Sequence, residues 1–176
     1  MVIGVQQAPA VPDMLAGRTA SESTQRDSCV VIQSFDEGGK LPPGIHPATW
    51  DETVERYATN GRREQLLDGL HAAIESLRAA GCSRVYLDGS FVTSKDVPGD
   101  FDACWEAGGV DPSLLHPPLL DFSDHRVAQK AKYGGELFPA EVPAEPGGMR
   151  FVDYFQRDRV TGGAKGIVAI DLGAFA

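Results

Sequence analysis

Residues 87–105 read LDGSFVTSKDVPGDFDACW, and in this stretch two short apolar segments flank a polar connection. Valine and aromatic residues favour β-strands, so we predict one strand over residues 84–87 and a second over residues 100–105. The connection contains the run KDVPG at residues 95–99, where proline and glycine are typical of a turn. The expected order is therefore strand, tight connection, strand.

Two acidic side chains in the second strand indicate a metal site. Asp100 and Asp102 stand at positions i and i+2, so both side chains leave one face of the strand, roughly 6.7 Å apart along the chain. Such carboxylates repel each other, and Mg²⁺, which binds one or two carboxylates together with substrate phosphates, removes that conflict. After the first strand, Gly89 lets the backbone approach a ligand closely. We expect a helix to begin at Ser90, where the serine hydroxyl and the nearby N–H groups can hold a phosphate.

These residues resemble the signature of the nucleotidyltransferase superfamily, which has the DNA polymerase β-like fold. The signature is a Gly-Ser pair after a strand, followed by an Asp-x-Asp motif in the next strand, and here it covers residues 64–105. The wider run of residues 41–171 resembles an uncharacterised bacterial family placed in that superfamily. The resemblance implies metal-dependent transfer of a nucleotidyl group from an NTP, with release of pyrophosphate. It implies that Asp100 and Asp102 bind the metal and that Gly89 and Ser90 contact the triphosphate.

Members of that superfamily often have a third carboxylate from a neighbouring strand, which helps to hold the metal and to deprotonate the acceptor hydroxyl. Asp153 is the first choice for this role, because residues 150–156 read as a strand. Asp171 is the second choice, at the end of a strand predicted for residues 166–172. We expect these two strands to pair as a hairpin through the glycines at 162–163.

Basic side chains near this region are candidates for neutralising the triphosphate. Lys130 and Lys132 are the first candidates for nucleotide binding, and Lys165 and Arg126 are further ones. Lys130 and Lys132 fall in a helix that we predict over residues 123–132.

Helices also precede the signature. Thr49 and Glu52 have the spacing of a capping box, which predicts a helix over residues 50–57. Apolar residues at helical spacing predict a longer helix over residues 62–80, and Gly81 is typical of the position after a helix C-terminus. The fold class is therefore α+β, with a mixed nucleotidyltransferase-like sheet flanked by helices in a single small domain. The apolar positions of the long helix are Leu66, Leu67, Leu70, Ala73, Ile74 and Leu77.

Composition limits the remaining possibilities. The chain has 176 residues and a formal net charge of −9, which disfavours non-specific binding to duplex DNA. No apolar run approaches the roughly 20 residues that span a bilayer, and three cysteines without a C-x-x-C spacing favour a reducing cytoplasm. Residues 1–29 are predicted to be a flexible extension, with a short strand at residues 29–32. The nucleotidyltransferase-like domain is predicted to be residues 30–176.

Two functions remain open at this stage. The first is a nucleotidyltransferase that uses Mg²⁺, with Mn²⁺ as the alternative, to transfer an NMP from an NTP to a protein or RNA acceptor. The second is a catalytically inactive module of the same fold that acts with a partner chain, in an antitoxin-like or nucleotide-sensing role. Larger nucleotidyltransferases have a helical domain after the sheet that binds base and acceptor, and here the chain ends soon after the last predicted strand. A third carboxylate in an open cleft would favour the enzyme.

Overall fold

The helices that precede the signature form where the sequence predicts them. The computed structural model of the chain describes residues 32–173 and residue 175, so the predicted extension and most of the strand at 29–32 lie outside the described residues. Helix α1 (Trp50–Tyr57) begins with a complete capping box. Thr49 Oγ1 accepts a hydrogen bond from the Glu52 N–H at 3.2 Å, and Glu52 Oε2 accepts one from the Thr49 N–H at 2.7 Å.

Helix α2 (Gly61–Ala79) contributes an apolar face to the core. The side chain of Asn60 accepts hydrogen bonds from the N–H groups of Arg62 and Arg63 and so caps its first turn. Beyond its end, Gly81 has a φ of +95°, the conformation that favours glycine there. All six predicted apolar positions of this helix are buried.

Five strands form one mixed sheet in the order β1-β5-β2-β3-β4. The strands β1 and β5 are parallel, as are β3 and β4, whereas β2 is antiparallel to both of its neighbours. The two edge strands, β1 and β4, each contain a proline, which edge strands tolerate because an N–H there has no partner. The strands are β1 (Gly44–Ala48), β2 (Arg84–Asp88), β3 (Phe101–Trp105), β4 (Gly135–Pro139) and β5 (Gly166–Asp171).

The two faces of the sheet are covered differently. One face, with Leu87 and Phe101, packs against α1 and α2 in the main core. The opposite face carries a smaller apolar cluster that includes Tyr86, Cys104 and Phe138 and is covered by residues that follow β4. Because the helices leave this second face partly open, polar side chains on it can reach solvent. Within the described residues, no helix is both long and apolar enough to cross a membrane.

The strand predicted for residues 150–156 is wrong. This segment contains a single helical turn, α4 (Phe151–Tyr154). Phe151 and Phe155, four residues apart, both pack on Phe138, with ring centroids at 4.0 and 6.4 Å. The predicted hairpin is wrong as well, since β5 lies between β1 and β2.

The helix predicted for residues 123–132 is correct only in its second half. Asp124, His125 and Arg126 have φ values of 42°, 51° and 56°, a left-handed turn that no α-helix contains. Helix α3 (Val127–Tyr133) begins after that turn. Strands β1 and β4 were not predicted. Strand β4 contains Glu136, which pairs with Asp102 of β3.

Candidate active site

Three carboxylates form a row across the open face of the sheet, at the end of β2. Asp88 in β2 pairs with Asp102 in β3, and Asp102 in turn pairs with Glu136 in β4. Residues directly opposite each other on neighbouring strands project from the same face. We refer to Asp88, Asp102 and Glu136 as the carboxylate row.

The Gly-Ser corner touches this row through Gly89. Gly89 has a φ of +81°, and a Cβ at this position would lie only 2.6 Å from Asp102 Oδ2 and 3.1 Å from the Asp102 nitrogen. Glycine is therefore required here both by the backbone conformation and by the close approach of Asp102. The sequence argument placed the corner beside the carboxylate pair, and the structure brings them together.

Ser90 begins a single 3₁₀ turn, Ser90–Val92, rather than the helix that was expected. One short turn cannot form the dipole of a full helix N-terminus, so helix-based phosphate binding at this position loses its physical basis. The Ser90 carbonyl accepts a hydrogen bond from Thr93 Oγ1 at 2.7 Å, which closes the turn.

The connection between β2 and β3 is held by the first turn of α2. Arg63 is only 3% exposed, and its guanidinium donates hydrogen bonds of 2.7–3.2 Å to four backbone carbonyls of the connection. Arg62 donates to the carbonyls just before Asp100. These two arginines therefore fix the position of Asp100 relative to the Gly-Ser corner. The carbonyls belong to Phe91, Thr93, Lys95 and Asp96 for Arg63, and to Pro98 and Gly99 for Arg62.

Asp100 and Asp102 line the same solvent-accessible cleft, which has a volume of about 380 Å³. Its wall also contains cations that could meet phosphate oxygens and aromatic rings that could contact a base. We call it the carboxylate cleft. Its lining includes Asp100, Asp102, Arg126, Lys130, Glu136, Glu145, Phe151, Tyr154 and Arg159.

Asp102 is the electrostatically strained member of the site. Burial, together with the neighbouring charges of Asp88, Asp100 and Glu136, raises its pKa to about 6, against a partial offset by Arg159. A carboxylate in this state is stabilised by an added cation, which neutralises the charge that burial and its neighbours disfavour.

The other two members of the row already have cationic partners. Asp88 is 4% exposed, and its Oδ1 lies 2.6 Å from Lys165 Nζ. Burial raises the pKa of Asp88, although the charge and hydrogen bond of Lys165 oppose that effect. Glu136 Oε1 contacts Lys130 Nζ at 2.6 Å and Arg126 Nη2 at 3.1 Å. Burial opposes ionisation of Glu136, but these two cations outweigh it and lower its pKa.

Arg126, which lines the cleft, has one side-chain donor without a partner among the described residues. Its backbone adopts the left-handed conformation, and its guanidinium lies 5.2 Å from the centroid of the Phe138 ring. Its Nε is buried and makes no hydrogen bond within the described part of the chain. A buried donor without an acceptor is costly, and a phosphate oxygen would supply the acceptor.

The comparison with protein families assigns the chain to a family without assigning an activity. The match covers residues 33–171 and is to the family described as "Family of unknown function (DUF6932)". The chain belongs to this family. No curated protein and no solved structure was found to match it.

Three of the sequence candidates lie away from the carboxylate cleft. Asp153 is in α4 rather than a strand, pairs with Arg150 Nε at 2.8 Å, and lines a different cleft. Asp171 is exposed at the far end of β5, where the register sets it against Arg84, four residues before Asp88. The structure therefore brings neither carboxylate to Asp100 and Asp102.

Lys132, the third of these candidates, lies outside the carboxylate cleft as well. Its Nζ is 3.0 Å from His116 Nδ1, and it lines a neighbouring cleft. By contrast, Lys130, Lys165 and Arg126 all contact members of the carboxylate row.

Sequence reasoning did not select Asp88 or Glu136. Asp88 precedes Gly89 and would pass for a turn residue. Glu136 could have been found only through β4, whose signal is a short apolar pair, Leu137 and Phe138, between a glycine pair and a proline. The partnership of Glu136 with Asp102 depends on strand pairing, which the local sequence does not specify.

The donor set fits Mg²⁺ in the way that substrate-assisted sites do. Among residues 32–173 and 175, no three His, Cys, Asp or Glu side chains are arranged to hold a metal ion by themselves. Mg²⁺ commonly takes only one or two protein carboxylates and completes its octahedron with substrate phosphates and water. Asp100 and Asp102 supply two carboxylates to one cleft, and the negative charges around Asp102 favour a cation there, so the pair suits such a site.

Proposed function

We propose that the chain is a Mg²⁺-dependent nucleotidyltransferase, with Mn²⁺ as an alternative ion, which transfers an NMP from an NTP to a protein or RNA acceptor. One observation carries the proposal: Asp102 and Asp100 line the same open cleft. The carboxylate of Asp102 lies so close to residue 89 that only glycine fits there, and the pKa of Asp102 is raised to about 6. The resemblance of the Gly-Ser and Asp-x-Asp motifs to the nucleotidyltransferase superfamily supports the same reading. We also propose that the reaction takes place in the cytoplasm, where NTPs are abundant.

In this proposal, Asp100 and Asp102 bind the metal ion and Arg126, Lys130 and Arg159 bind the triphosphate. The metal ion, when bound, supplies Lewis-acid polarisation of the phosphate and of the acceptor hydroxyl. The guanidinium of Arg126 donates to phosphate oxygens, and a shift of this side chain brings its unpaired Nε–H to one of them. The acceptor oxygen forms a bond to the α-phosphorus, and the bond from that phosphorus to the pyrophosphate oxygen breaks. The hydroxyl proton passes to solvent.

Glu136 is the third carboxylate of the proposed site, in place of Asp153. It is the cross-strand partner of Asp102, and both line the carboxylate cleft. Its ion pairs with Lys130 and Arg126 hold those cations beside the cleft until a triphosphate arrives. When the NTP binds, Lys130 and Arg126 exchange the carboxylate of Glu136 for phosphate oxygens.

A second candidate function is an inactive nucleotidyltransferase-like module that binds a nucleotide or a partner chain without transfer. The observation in its favour is that Asp88 and Glu136 are both neutralised by cations of this chain. If those ion pairs persist when a nucleotide binds, neither carboxylate is free to assist the acceptor hydroxyl. Binding without turnover would then result.

Isothermal titration calorimetry with MgATP tests the binding step. We expect the wild type to bind, and the double variant Asp100→Asn with Asp102→Asn to lose at least tenfold in affinity, because two of the metal's ligands lose their charge. Asp153→Asn is the matched control, since the side chain of Asp153 is partly exposed and lines a different cleft. Equal affinities for wild type and double variant would reject the assignment of the site.

A further inference from the structure

A second cleft of about 390 Å³ lies directly beside the carboxylate cleft, between α2 and α3. Its lining contains three cations, Arg62, Lys130 and Lys132, but only one carboxylate, Asp100. Although the formal net charge of the chain is −9, this cleft has a local excess of positive charge. Clustered cations of this kind attract phosphate groups.

Two of these cations carry charge that no side chain of the described residues neutralises. The Arg62 guanidinium donates only to uncharged acceptors: Gln65 Oε1 at 2.7 Å, the Pro98 carbonyl at 3.3 Å and the Gly99 carbonyl. The Lys132 ammonium contacts the His116 ring and lies 5.3 Å from the Tyr133 ring centroid. Both groups are therefore available to an anionic ligand.

The two clefts share a wall, because Asp100 and Lys130 line both of them. A molecule in the second cleft therefore lies next to the proposed metal ligands without occupying the carboxylate cleft. That arrangement suits the second substrate of a transfer reaction, whose reacting hydroxyl must meet an NTP held on the other side of Asp100.

The floor of the second cleft is formed by close contact between α2 and α3. A Cβ at Gly69 would overlap the carbonyl oxygen of Tyr133, and one at Gly134 would come within 2.9 Å of a Leu66 methyl group. Helices that meet backbone to backbone leave little freedom for this floor to collapse. The cations are thus presented on a rigid support.

We propose that the second cleft binds a phosphate group of the acceptor, so that the acceptor is a phosphorylated molecule whose hydroxyl is presented to Asp100. This inference rests on the proposed function, because the bound molecule is an acceptor only if the chain transfers a nucleotidyl group. Binding of the phosphate itself requires neither NTP nor metal. The phosphate can be a terminal phosphomonoester of an RNA strand or a phosphodiester of its backbone. In either case, Arg62 and Lys132 hold it.

Fluorescence anisotropy with a short fluorescein-labelled oligoribonucleotide, in EDTA and without NTP, tests the proposal. We expect binding that Arg62→Gln and Lys132→Gln each weaken about three- to tenfold, with the slope of log affinity against log salt reduced by about 0.7. Lys95→Gln, which removes an exposed lysine outside both clefts, should bind like the wild type. Lys132→Gln is the decisive variant, because Arg62 also holds the chain before Asp100.

Competition distinguishes the sources of the phosphate. Displacement of the probe by AMP supports recognition of a terminal phosphomonoester, whereas binding that AMP does not displace supports recognition of a backbone phosphodiester. Displacement by an oligoglutamate peptide of equal charge, or equal affinity of wild type and Lys132→Gln, overturns the proposal. Titration of the same preparations with MgATP tests the carboxylate cleft separately, so either proposal can fail while the other stands.

Discussion

Replacing Asp102 by asparagine should stabilise the metal-free protein, even though it removes a residue of the proposed site. The folded protein raises the pKa of Asp102 from 3.8 to about 6, first through burial and then through the charges of Asp88 and Asp100. At neutral pH the wild type must therefore keep a charge that its surroundings disfavour. Asparagine has nearly the same shape and carries no charge.

The magnitude follows from the shift in pKa. One pKa unit corresponds to about 1.4 kcal/mol, so a shift of two units corresponds to about 3 kcal/mol of lost stability at pH 7. Because Asp102 is partly exposed, solvent screening reduces the expected gain in the Asp102→Asn variant to about 1–2 kcal/mol.

The sign of the pH dependence is also determined. Between about pH 4 and pH 6 the folded state binds more protons at Asp102 than the unfolded state does, so this group's contribution to stability falls as pH rises through that window. Below about pH 4 the carboxyl is protonated in both states. The difference between variant and wild type should therefore be near zero at low pH, grow up to about pH 6 and then remain constant.

Urea unfolding in EDTA at a series of pH values measures this difference, with tryptophan fluorescence, to which buried Trp105 contributes, as the signal. Asp153→Asn is the control, since it removes only an exposed ion pair with Arg150, worth less than about 1 kcal/mol. An Asp102→Asn variant that is less stable than the wild type at pH 7, or a difference that does not change with pH, would refute the reasoning.

Two further changes test how the site is held. Gly89→Ala places a Cβ 2.6 Å from Asp102 Oδ2 at a positive φ, so it should cost about 2–4 kcal/mol in urea unfolding. Gly108→Ala, with nothing within 4 Å, should cost less than about 1 kcal/mol, and equal effects would contradict the requirement for glycine. Arg63→Met leaves four carbonyls of the β2–β3 connection without their donor. We expect a loss of about 3–5 kcal/mol in thermal unfolding, because several acceptors lose their donor at once, whereas a loss below about 1 kcal/mol would show that Arg63 does not hold the connection.

Local signals in the sequence were sufficient for the elements around the signature. The capping box at Thr49 and Glu52 and the apolar periodicity of α2 predicted both helices to within about a residue of their bounds. The runs that became β2 and β3 flank a connection rich in turn residues, and the i, i+2 spacing of Asp100 and Asp102 placed both side chains on one cleft. These features depend on neighbours in the chain, which the sequence shows directly.

The errors arose where tertiary contacts decide the structure. Phe151 and Phe155 suit either a strand or a helical turn, and their packing on Phe138 selects the turn. Asp153 was chosen as the third carboxylate because residues 150–156 were predicted to be a strand. The residue that the sheet brings beside Asp102 is Glu136, because β4 pairs with β3, and neither the existence nor the register of that pairing is visible in the local sequence.

The most direct test of the central claim is transfer of a labelled nucleotidyl group. The full chain is incubated with Mg²⁺ or Mn²⁺, cell extract and each NTP labelled in turn at the α- or the γ-phosphate, and the products are separated on denaturing gels. We predict that α-label becomes attached to a protein or RNA band, that γ-label does not, and that the Asp100→Asn, Asp102→Asn double variant transfers neither. Transfer of γ-label instead of α-label, transfer unchanged in the double variant, or no transfer from any NTP would contradict the account.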